Sequence, residues 1–311
     1  MKKQLFLLGF ALCTMTMVAQ TEKNESWYFK LGGSYFMQTA ATEFPTVGGN
    51  LPLNRTYVGG KLVSEESVTG SFGEGFRTGL TAGYRFNTRV GFEMGVNYYS
   101  SADKTMAQTT TDANTPSIYN FKSVGKITAF DLAPSLVLFL GESNGFEPYS
   151  KVGVIVPVHG DLEITTDATP AIGFNPATSS YVYGNVHSVD KVKPNPTVGF
   201  MAALGTSYKL GKNISAFAEL EYRNFTVHGK SKETTSFTVN GNDALATRTN
   251  SQINTNYVDR LDVNSNNPLF NPNTATPDTK DTTRPNDKMD ELSSYVGISG
   301  LGLTLGLKYS L

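Results

Sequence analysis

Apolar and polar residues alternate one by one in eight separate segments of the chain. The pattern is clearest at the carboxyl end, where glycine, threonine, lysine and serine alternate with Leu301, Leu303, Leu305, Leu307, Tyr309 and Leu311. Because a β-strand points successive side chains to opposite faces, this period of two predicts strands with one apolar and one polar face. The eight predicted strands cover about residues 26–38, 75–86, 89–99, 126–140, 146–159, 196–210, 213–228 and 298–311.

The connections between these segments alternate in length. Three are short and contain residues that tolerate tight turns, at 87–88, 141–145 and 211–212. Four are long and rich in Thr, Asn, Asp, Pro and Gly, so we expect loops rather than buried elements at about 39–74, 100–124, 160–195 and 229–296. The alternation predicts one all-β domain, an antiparallel up-and-down meander whose two termini lie at the end with the short turns.

The residue types on the polar face indicate that it lines the interior of a closed barrel. Glycine is frequent there, and we expect small residues to make room for long charged ones inside a narrow eight-stranded barrel. Charges of both signs, which can pair in a small lumen, occupy this face at Lys30, Arg77, Arg85, Glu93, Asp131, Lys151, Glu219, Glu221, Arg223 and Lys308. The apolar face then points outward into hydrocarbon, and the closed ladder satisfies the backbone groups.

Aromatic residues on the apolar face lie mainly near the strand ends, which is typical of the two interfaces of a membrane. Near the long loops they are Tyr98 and Tyr222, and near the short turns they are Trp27, Tyr84, Phe86, Tyr208 and Tyr309. Three prolines interrupt the predicted strands, because proline cannot donate a ladder hydrogen bond. We expect bulges or strand ends at Pro134, Pro148 and Pro157.

The first 19 residues predict a secretory signal peptide, because Lys2 and Lys3 precede a short apolar stretch that ends near Ala19. Cys13, the only cysteine, lies in this segment. The mature chain, residues 20–311, would therefore contain neither a disulfide nor a cysteine-based metal site. A formal net charge of −1 also lacks the basic excess that is typical of nucleic-acid-binding proteins.

Together the signal peptide, the eight alternating strands, the long-loop and short-turn ends and the last strand resemble the small outer-membrane β-barrel proteins of Gram-negative bacteria. The resemblance implies an integral outer-membrane protein whose first and last strands pair. It also implies contact with outer-membrane lipids, with lipopolysaccharide and with the barrel-assembly machinery. The assembly signal would be Leu307, Tyr309 and Leu311, although family members usually end in an aromatic residue.

The resemblance implies no single activity, since members serve as anchors, adhesins, channels and, rarely, lipid-modifying enzymes. The predicted function is a structural or surface-display barrel that binds an extracellular ligand through its long loops, because an eight-stranded lumen is wide enough only for its own side chains. The alternative is a channel or transporter for a small or hydrophobic solute. A third hypothesis is a lipid A-modifying enzyme that uses His159 or His228 at the rim.

No spacing singles out a catalytic nucleophile, a cofactor loop or a metal site. His187 is expected in a loop, and the acidic residues of the last loop lack the spacing of an EF-hand. In that loop Leu269 and Phe270 form one small apolar anchor, which we expect either to pack on the rim or to meet a partner. The sequence therefore predicts neither catalytic, cofactor-binding nor metal-binding residues.

Overall fold

The computed structural model describes residues 26–112, 120–195, 197–270 and 284–311. The predicted signal peptide, with Cys13, and part of the last loop lie outside the described residues. The strands in chain order are β1 (Ser26–Gln38), β2 (Thr42–Glu43), β3 (Leu53–Val58), β4 (Lys61–Ser67), β5 (Thr69–Gly70), β6 (Gly75–Arg85), β7 (Val90–Ser101), β8 (Lys104–Thr111), β9 (Phe121–Phe139), β10 (Phe146–Ala168), β11 (Ala171–Asn175), β12 (Ser180–Tyr183), β13 (Val186–Asn195), β14 (Gly199–Lys209), β15 (Ile214–Asn224), β16 (Thr226–Val239), β17 (Asn242–Asp243), β18 (Asn254–Val258), β19 (Met289–Leu292), β20 (Tyr295–Gly297) and β21 (Gly300–Ser310).

Eight of these strands close into an antiparallel barrel. Going around it, each pairs with the next in the order β1, β6, β7, β9, β10, β14, β15 and β21, and β21 pairs back with β1. The closing pair places Leu31 opposite Leu307 and Lys30 opposite Lys308, so apolar and polar faces stay in register across the seam. The predicted closed, eight-stranded, up-and-down barrel with three short turns and four long connections is confirmed.

The outer wall of the barrel is apolar. Leu80, Leu204 and Phe200 expose 63%, 67% and 67% of their surfaces, which no water-soluble barrel would tolerate over a whole belt. Aromatic rings meet at both ends of the wall, and Trp27 contacts Tyr84 at the turn end with ring centroids 5.0 Å apart. At the loop end Tyr98 and Phe130 lie 5.0 Å apart, and Tyr35 and Phe76 lie 4.9 Å apart. The surface is that of a barrel surrounded by hydrocarbon.

The long connections are not loops without structure, and this corrects the sequence-based expectation. β9 begins at Phe121 and β10 ends at Ala168, so this hairpin continues well past the apolar wall. Neighbouring strands extend it into a second layer, the outer sheet, in the order β4, β3, β8, β9, β10, β13, β16, β18 and β19. The pairs β3–β8 and β18–β19 are parallel. The polar composition of these segments predicted loops. Their threonine and valine residues nevertheless favour strands, even where charged residues alternate with them.

The outer sheet also has a buried apolar core, which the polar composition of the connections did not predict. The core lies above the barrel lumen and consists of Phe44, Val47, Phe72, Tyr99, Met106, Ile127, Leu162, Ile164, Val192, Phe225, Val296 and Ile298. A short α-helix, α1 (Asn250–Ile253), follows a 3-10 turn at Leu245–Thr247 and contacts β16 and β18. No helix in the described ranges is long and apolar enough to cross a membrane.

The three strand prolines behave differently. The pairing of β9 with β10 shifts register between Pro157 and His159, which is the expected bulge. Pro148 is the third residue of β10, close to its beginning. Pro134 lies inside β9 and stays in register with Met94 of β7, so no bulge forms on that side. On its other side the pairing with β10 is interrupted between Ser135 and Leu132.

Candidate functional site

Four charged side chains meet at the centre of the lumen. Lys30 Nζ lies 2.6 Å from Glu93 Oε1 and 2.8 Å from Glu219 Oε1. Lys151 Nζ lies 2.7 Å from Glu219 Oε2 and 3.4 Å from Glu93 Oε2. These residues come from β1, β7, β10 and β15, which are alternate strands around the barrel. Two cations and two anions therefore alternate in a closed ring, in which each charge faces two of opposite sign.

A second layer of charges lies toward the loop end. Arg77 Nη1 donates to Glu221 Oε1 at 2.7 Å, and Arg223 Nη2 donates to Asp131 Oδ2 at 3.0 Å. Asn97 Nδ2 donates to the other Asp131 oxygen at 2.7 Å. Each positive charge has a negative partner, which is the condition under which buried charges are tolerated.

A third layer lies toward the short turns. Arg85 Nη1 is 2.7 Å from Glu147 Oε1, and Lys308 Nζ is 3.3 Å from Glu147 Oε2. All ten charged residues that the sequence placed in the lumen are thus brought together inside the barrel, in three layers that we call the plug. Glu147 belongs to the plug and was missed, although it keeps the phase of Lys151 four residues later and is inward-facing.

Aromatic rings fill much of the lumen, and the sequence prediction missed them as well. Tyr28 donates to Glu93 at 3.0 Å and Tyr149 donates to Glu219 at 2.8 Å, so both hydroxyls belong to the central ring. The period-two phase of β1 and β10 places them inward, but the sequence-based prediction considered aromatic residues only on the apolar face. The period-two phase of the strand therefore predicts the side that a residue faces better than the residue type does.

Two of the inward glycines, Gly83 and Gly205, accommodate these rings and not the long charged side chains that were the expected reason for their presence. A Cβ atom added to Gly83 would lie 2.2 Å from Tyr28 Cζ, and one added to Gly205 would lie 2.6 Å from Tyr149 Cζ. Both distances are far below contact, so the rings occupy the space that a side chain would need.

Little free space is left between the side chains of the plug. A cavity of about 40 Å³ remains beside Arg77, Lys151 and Thr304. This volume holds water molecules but no solute of metabolite size.

Above the plug a larger apolar cavity, here called the wall cavity, reaches the side of the barrel. Its volume is about 370 Å³, and its inner surface is formed by Ile127, Leu162, Val192, Phe225, Val296 and Ile298 of the outer core. The charged and titratable residues among its lining are His159, Asp161, Lys193, His228 and Lys230. An apolar interior with few polar groups at the mouth is the usual make-up of a ligand site.

The wall cavity opens where β10 changes its neighbour. β10 pairs with β14 up to Ile155 and with β13 from Leu162 onward, so residues 156–161 have no ladder partner on that side among the described residues. Pro157 and Pro194 line this stretch and donate no backbone hydrogen bond. Exposed Val158 and Val198 continue the apolar wall on the two sides of the opening.

The three histidines occupy different surroundings. His187 is in β13, not in a loop as expected, and its Nδ1 lies 2.7 Å from Asp167 Oδ1 at the far end of the outer sheet. His159 and His228 both line the wall cavity. His228 Nδ1 lies 3.1 Å from Ser293 Oγ, but that hydroxyl donates to the Gly229 carbonyl. Because the Ser293 hydroxyl donates its proton to a carbonyl and not to His228, the contacts form a structural hydrogen-bond chain and do not activate the serine as a nucleophile. The described residues contain no cluster suited to a metal ion.

The residues of the predicted assembly signal lie on the outer wall. Leu307, Tyr309 and Leu311 expose about half or more of their surfaces, and β21 pairs with β1 and β15 on its two sides. Leu269 is 80% exposed, so its side chain does not pack on the rim, and contact with a partner stays a prediction.

The sequence matches the family described as outer membrane protein beta-barrel domain over residues 7–258. It has no match among curated proteins. Similar solved structures include OprG from Pseudomonas aeruginosa, with 11% identity, 94% of this chain and 99% of that chain covered, and a TM-score of 0.40. Outer membrane protein W of E. coli has 12% identity, coverage of 94% and 100%, and a TM-score of 0.35. Neisserial surface protein A has 11% identity, coverage of 91% and 96%, and a TM-score of 0.34.

Proposed function

The chain belongs to the outer membrane protein beta-barrel family and lies in the cell outer membrane, and from this premise we propose that it is a non-conducting barrel whose outer sheet binds a partner outside the cell. One observation carries the proposal: the strands continue past the membrane as an ordered sheet with a core of its own. A surface that is ordered before it binds loses less conformational entropy on binding.

The β11–β12 hairpin, a separate two-stranded sheet between β10 and β13 in the chain, is the part of the loop end best suited to contact a partner. Every residue of both strands is exposed, and Phe174 packs against Tyr181 with ring centroids 5.4 Å apart. Ile172, Val182 and Tyr183 are also exposed by 43–46%. Residues 169–186 contain no charged residue. Uncharged surfaces with clustered aromatic side chains are typical of interface centres.

A cavity with several polar side chains at its surface lies at the same end of the molecule and offers a second contact. It has a volume of about 470 Å³, and the side chains at its surface include Asn120, Lys122, Asp167 and His187. Amide, ammonium, carboxylate and imidazole groups there can donate and accept hydrogen bonds. The far end of the outer sheet thus combines an apolar hairpin with polar groups.

The plug supports the non-conducting part of the proposal. Three layers of paired charges cross the lumen, and the space between them is about 40 Å³. A hydrated ion that entered would have to separate ion pairs that are already satisfied. In planar bilayers we expect no stable conductance steps, and regular single-channel openings would refute this part.

The binding part is tested by adhesion. A non-adherent host strain is made to express the protein, and cell attachment is counted on surfaces coated with polysaccharide or with protein. Replacing Phe174 and Tyr181 with serine should lower attachment at least about tenfold, since aromatic hot-spot residues carry most binding energy. The matched control replaces Leu62 and Val63, which are equally exposed on β4, with serine. Equal attachment of both variants and the parent protein would refute the proposal.

Passage of a small apolar solute is a second candidate function, and the wall cavity is the specific observation that favours it. A solute could move between the cavity and the outer leaflet without crossing the plug. Uptake of a fluorescent apolar solute into proteoliposomes would support this function, and impermeable vesicles would remove it.

The assembly machinery is the remaining proposed partner. We expect Tyr309→Ser to slow membrane insertion in cells, because it removes the one aromatic ring of Leu307, Tyr309 and Leu311. The same protein refolded in detergent should keep its stability within about 1 kcal/mol, as expected for an exposed position. A loss in both settings would indicate a structural role instead.

A further inference from the structure

The wall cavity has the features of a site for an amphiphile, a molecule with an acyl chain and a charged head. Its volume of about 370 Å³ lies within the range of about 300–1,000 Å³ that is typical of small-ligand sites. The inner surface comes from the buried core of the outer sheet, where Phe225, Val296 and Ile298 are less than one tenth exposed. An apolar chain placed there gains the full benefit of leaving water.

The mouth carries more positive than negative charge. Lys193 and Lys230 are exposed and line the cavity, and neither forms an ion pair within the described residues. Asp161 is the only acidic residue of the lining. His159 and His228 add imidazole groups that can donate hydrogen bonds. This set attracts an anionic head group.

The opening also has the right position along the barrel. Val158, Val198 and Phe200, exposed by 58–67%, mark the upper part of the apolar wall beside it. Lys193 lies near the end of β13, in the part of the outer sheet directly above that wall. The cavity mouth therefore lies at the level where lipid head groups meet water, and an amphiphile in the outer leaflet has its head and chain at matching depths.

We propose that the wall cavity binds an amphiphile with an anionic head, whose acyl chain enters beside Pro157 and whose carboxylate or phosphate is held by Lys193 and Lys230. Two sources share this chemistry. One is a phosphorylated glycolipid of the outer leaflet, and the other is a free fatty acid that arrives from outside the cell. The inference goes beyond the proposed function, because it holds whether or not the outer sheet binds a partner and whether or not a solute crosses the barrel.

The test uses the whole mature protein in micelles of a neutral maltoside detergent. Native mass spectrometry counts the bound probe during titration with palmitate, with cetyl alcohol, which has the same chain and no charge, and with purified lipid A. The proposal expects saturable binding of one palmitate or one lipid A. Binding of neither would overturn it. Tighter binding of lipid A than of palmitate indicates the outer leaflet as the source. Tighter binding of palmitate than of lipid A indicates a free fatty acid.

The head-group site is tested by the double variant Lys193→Gln and Lys230→Gln. Palmitate affinity should fall at least about tenfold, as expected for lost hydrogen bonds to a charged group, while cetyl alcohol affinity stays within about twofold. The matched control replaces Lys191 and Lys232 with glutamine, since these lie on the same two strands but do not line the cavity. Unchanged palmitate binding in the first variant, or equal losses in both, would overturn the assignment of the lysines.

The chain site is tested by filling the cavity. Val227→Phe adds volume to a lining residue and should weaken both palmitate and cetyl alcohol at least about tenfold. If this variant fails to fold, as judged by gel mobility before and after boiling, Ala129→Leu at another lining position serves instead. Undiminished binding of both probes to a folded, filled variant would show that the chain lies elsewhere and would overturn the proposal.

Discussion

Removing the charge of Glu219 tests whether the central ring of the plug holds the barrel together. Glu219 binds Lys30 at 2.8 Å and Lys151 at 2.7 Å, and it accepts the Tyr149 hydroxyl at 2.8 Å. Its side chain is only 3% exposed. Glu219→Gln keeps the shape but leaves two buried ammonium groups with Glu93 as their one remaining acid in the ring. Loss of one partner from a buried pair costs about 3–5 kcal/mol. We expect a value near the lower end, because Glu93 still contacts both lysines.

Urea unfolding in lipid vesicles measures this effect. Trp27 is the only tryptophan and lies on the outer wall, so its fluorescence reports the transfer from lipid to water. The control is Glu65→Gln, which breaks an exposed pair with Arg55 and should change the unfolding free energy by less than about 1 kcal/mol.

A charge-balanced variant separates charge from shape. Replacing Lys151 and Glu219 together with methionine leaves Lys30 paired with Glu93 at 2.6 Å. This double variant should be more stable than Glu219→Gln, because no unpaired charge remains. If Glu219→Gln unfolds at the same urea concentration and with the same slope as the parent, the ion pairs do not stabilise the lumen and the reasoning fails.

Two further predictions concern the packing of the lumen and the pH response of the loop end. Gly83→Val forces Cβ into the Tyr28 ring and should cost at least about 1–3 kcal/mol in the same urea assay, whereas Gly33→Val, where nothing lies within 4 Å, should be tolerated; equal stabilities would contradict the packing argument. The hydrogen bond from Lys104 holds the pKa of Glu74 below its ordinary value of 4.5. The contact therefore stabilises the loop end above that value and is lost as the pH falls through the lowered pKa. Pepsin cleavage of residues 39–74, measured relative to cleavage of an unfolded substrate at the same pH, should therefore speed up in acid, and Glu74→Gln should abolish this relative pH dependence.

The alternation of side chains was sufficient to predict the barrel, because every outward position faces the same solvent. In β21 each leucine on the outer wall lies two residues from the next, and no tertiary detail is needed to read its orientation. The same phase placed Lys30 and Lys308 inside, where they take part in different layers of the plug. Phase predicts the side that a residue faces but not its partner, so the pairing of Arg223 with Asp131, 92 residues apart, needed the structure.

The outer sheet could not be predicted in the same way. β13 and β16 mix valine, threonine and lysine, and neither face is uniformly apolar, since the buried side carries Asp190 and Thr234, which hydrogen-bond to each other, beside Val192. The parallel pair β3–β8 joins segments that are about 50 residues apart, and no local pattern specifies such a partner. The wall cavity depends on where two of these unpredicted pairings end, at Ile155 and at Leu162.

The structure divides the molecule into two levels with opposite interiors, and under the proposed function this division separates stability from recognition. Inside the membrane the core is polar and the exterior apolar, so the plug contributes to the stability of the barrel. Above the membrane the core is apolar, as in a water-soluble sheet, and the outer face is free to vary. Changes to Glu219 should therefore alter unfolding without altering contacts at Phe174, and changes to Phe174 should do the reverse. The wall cavity lies at the boundary between the two levels. There the apolar interior of the outer sheet meets the lipid through a gap in the ladder, between the part of β10 that pairs with β14 and the part that pairs with β13.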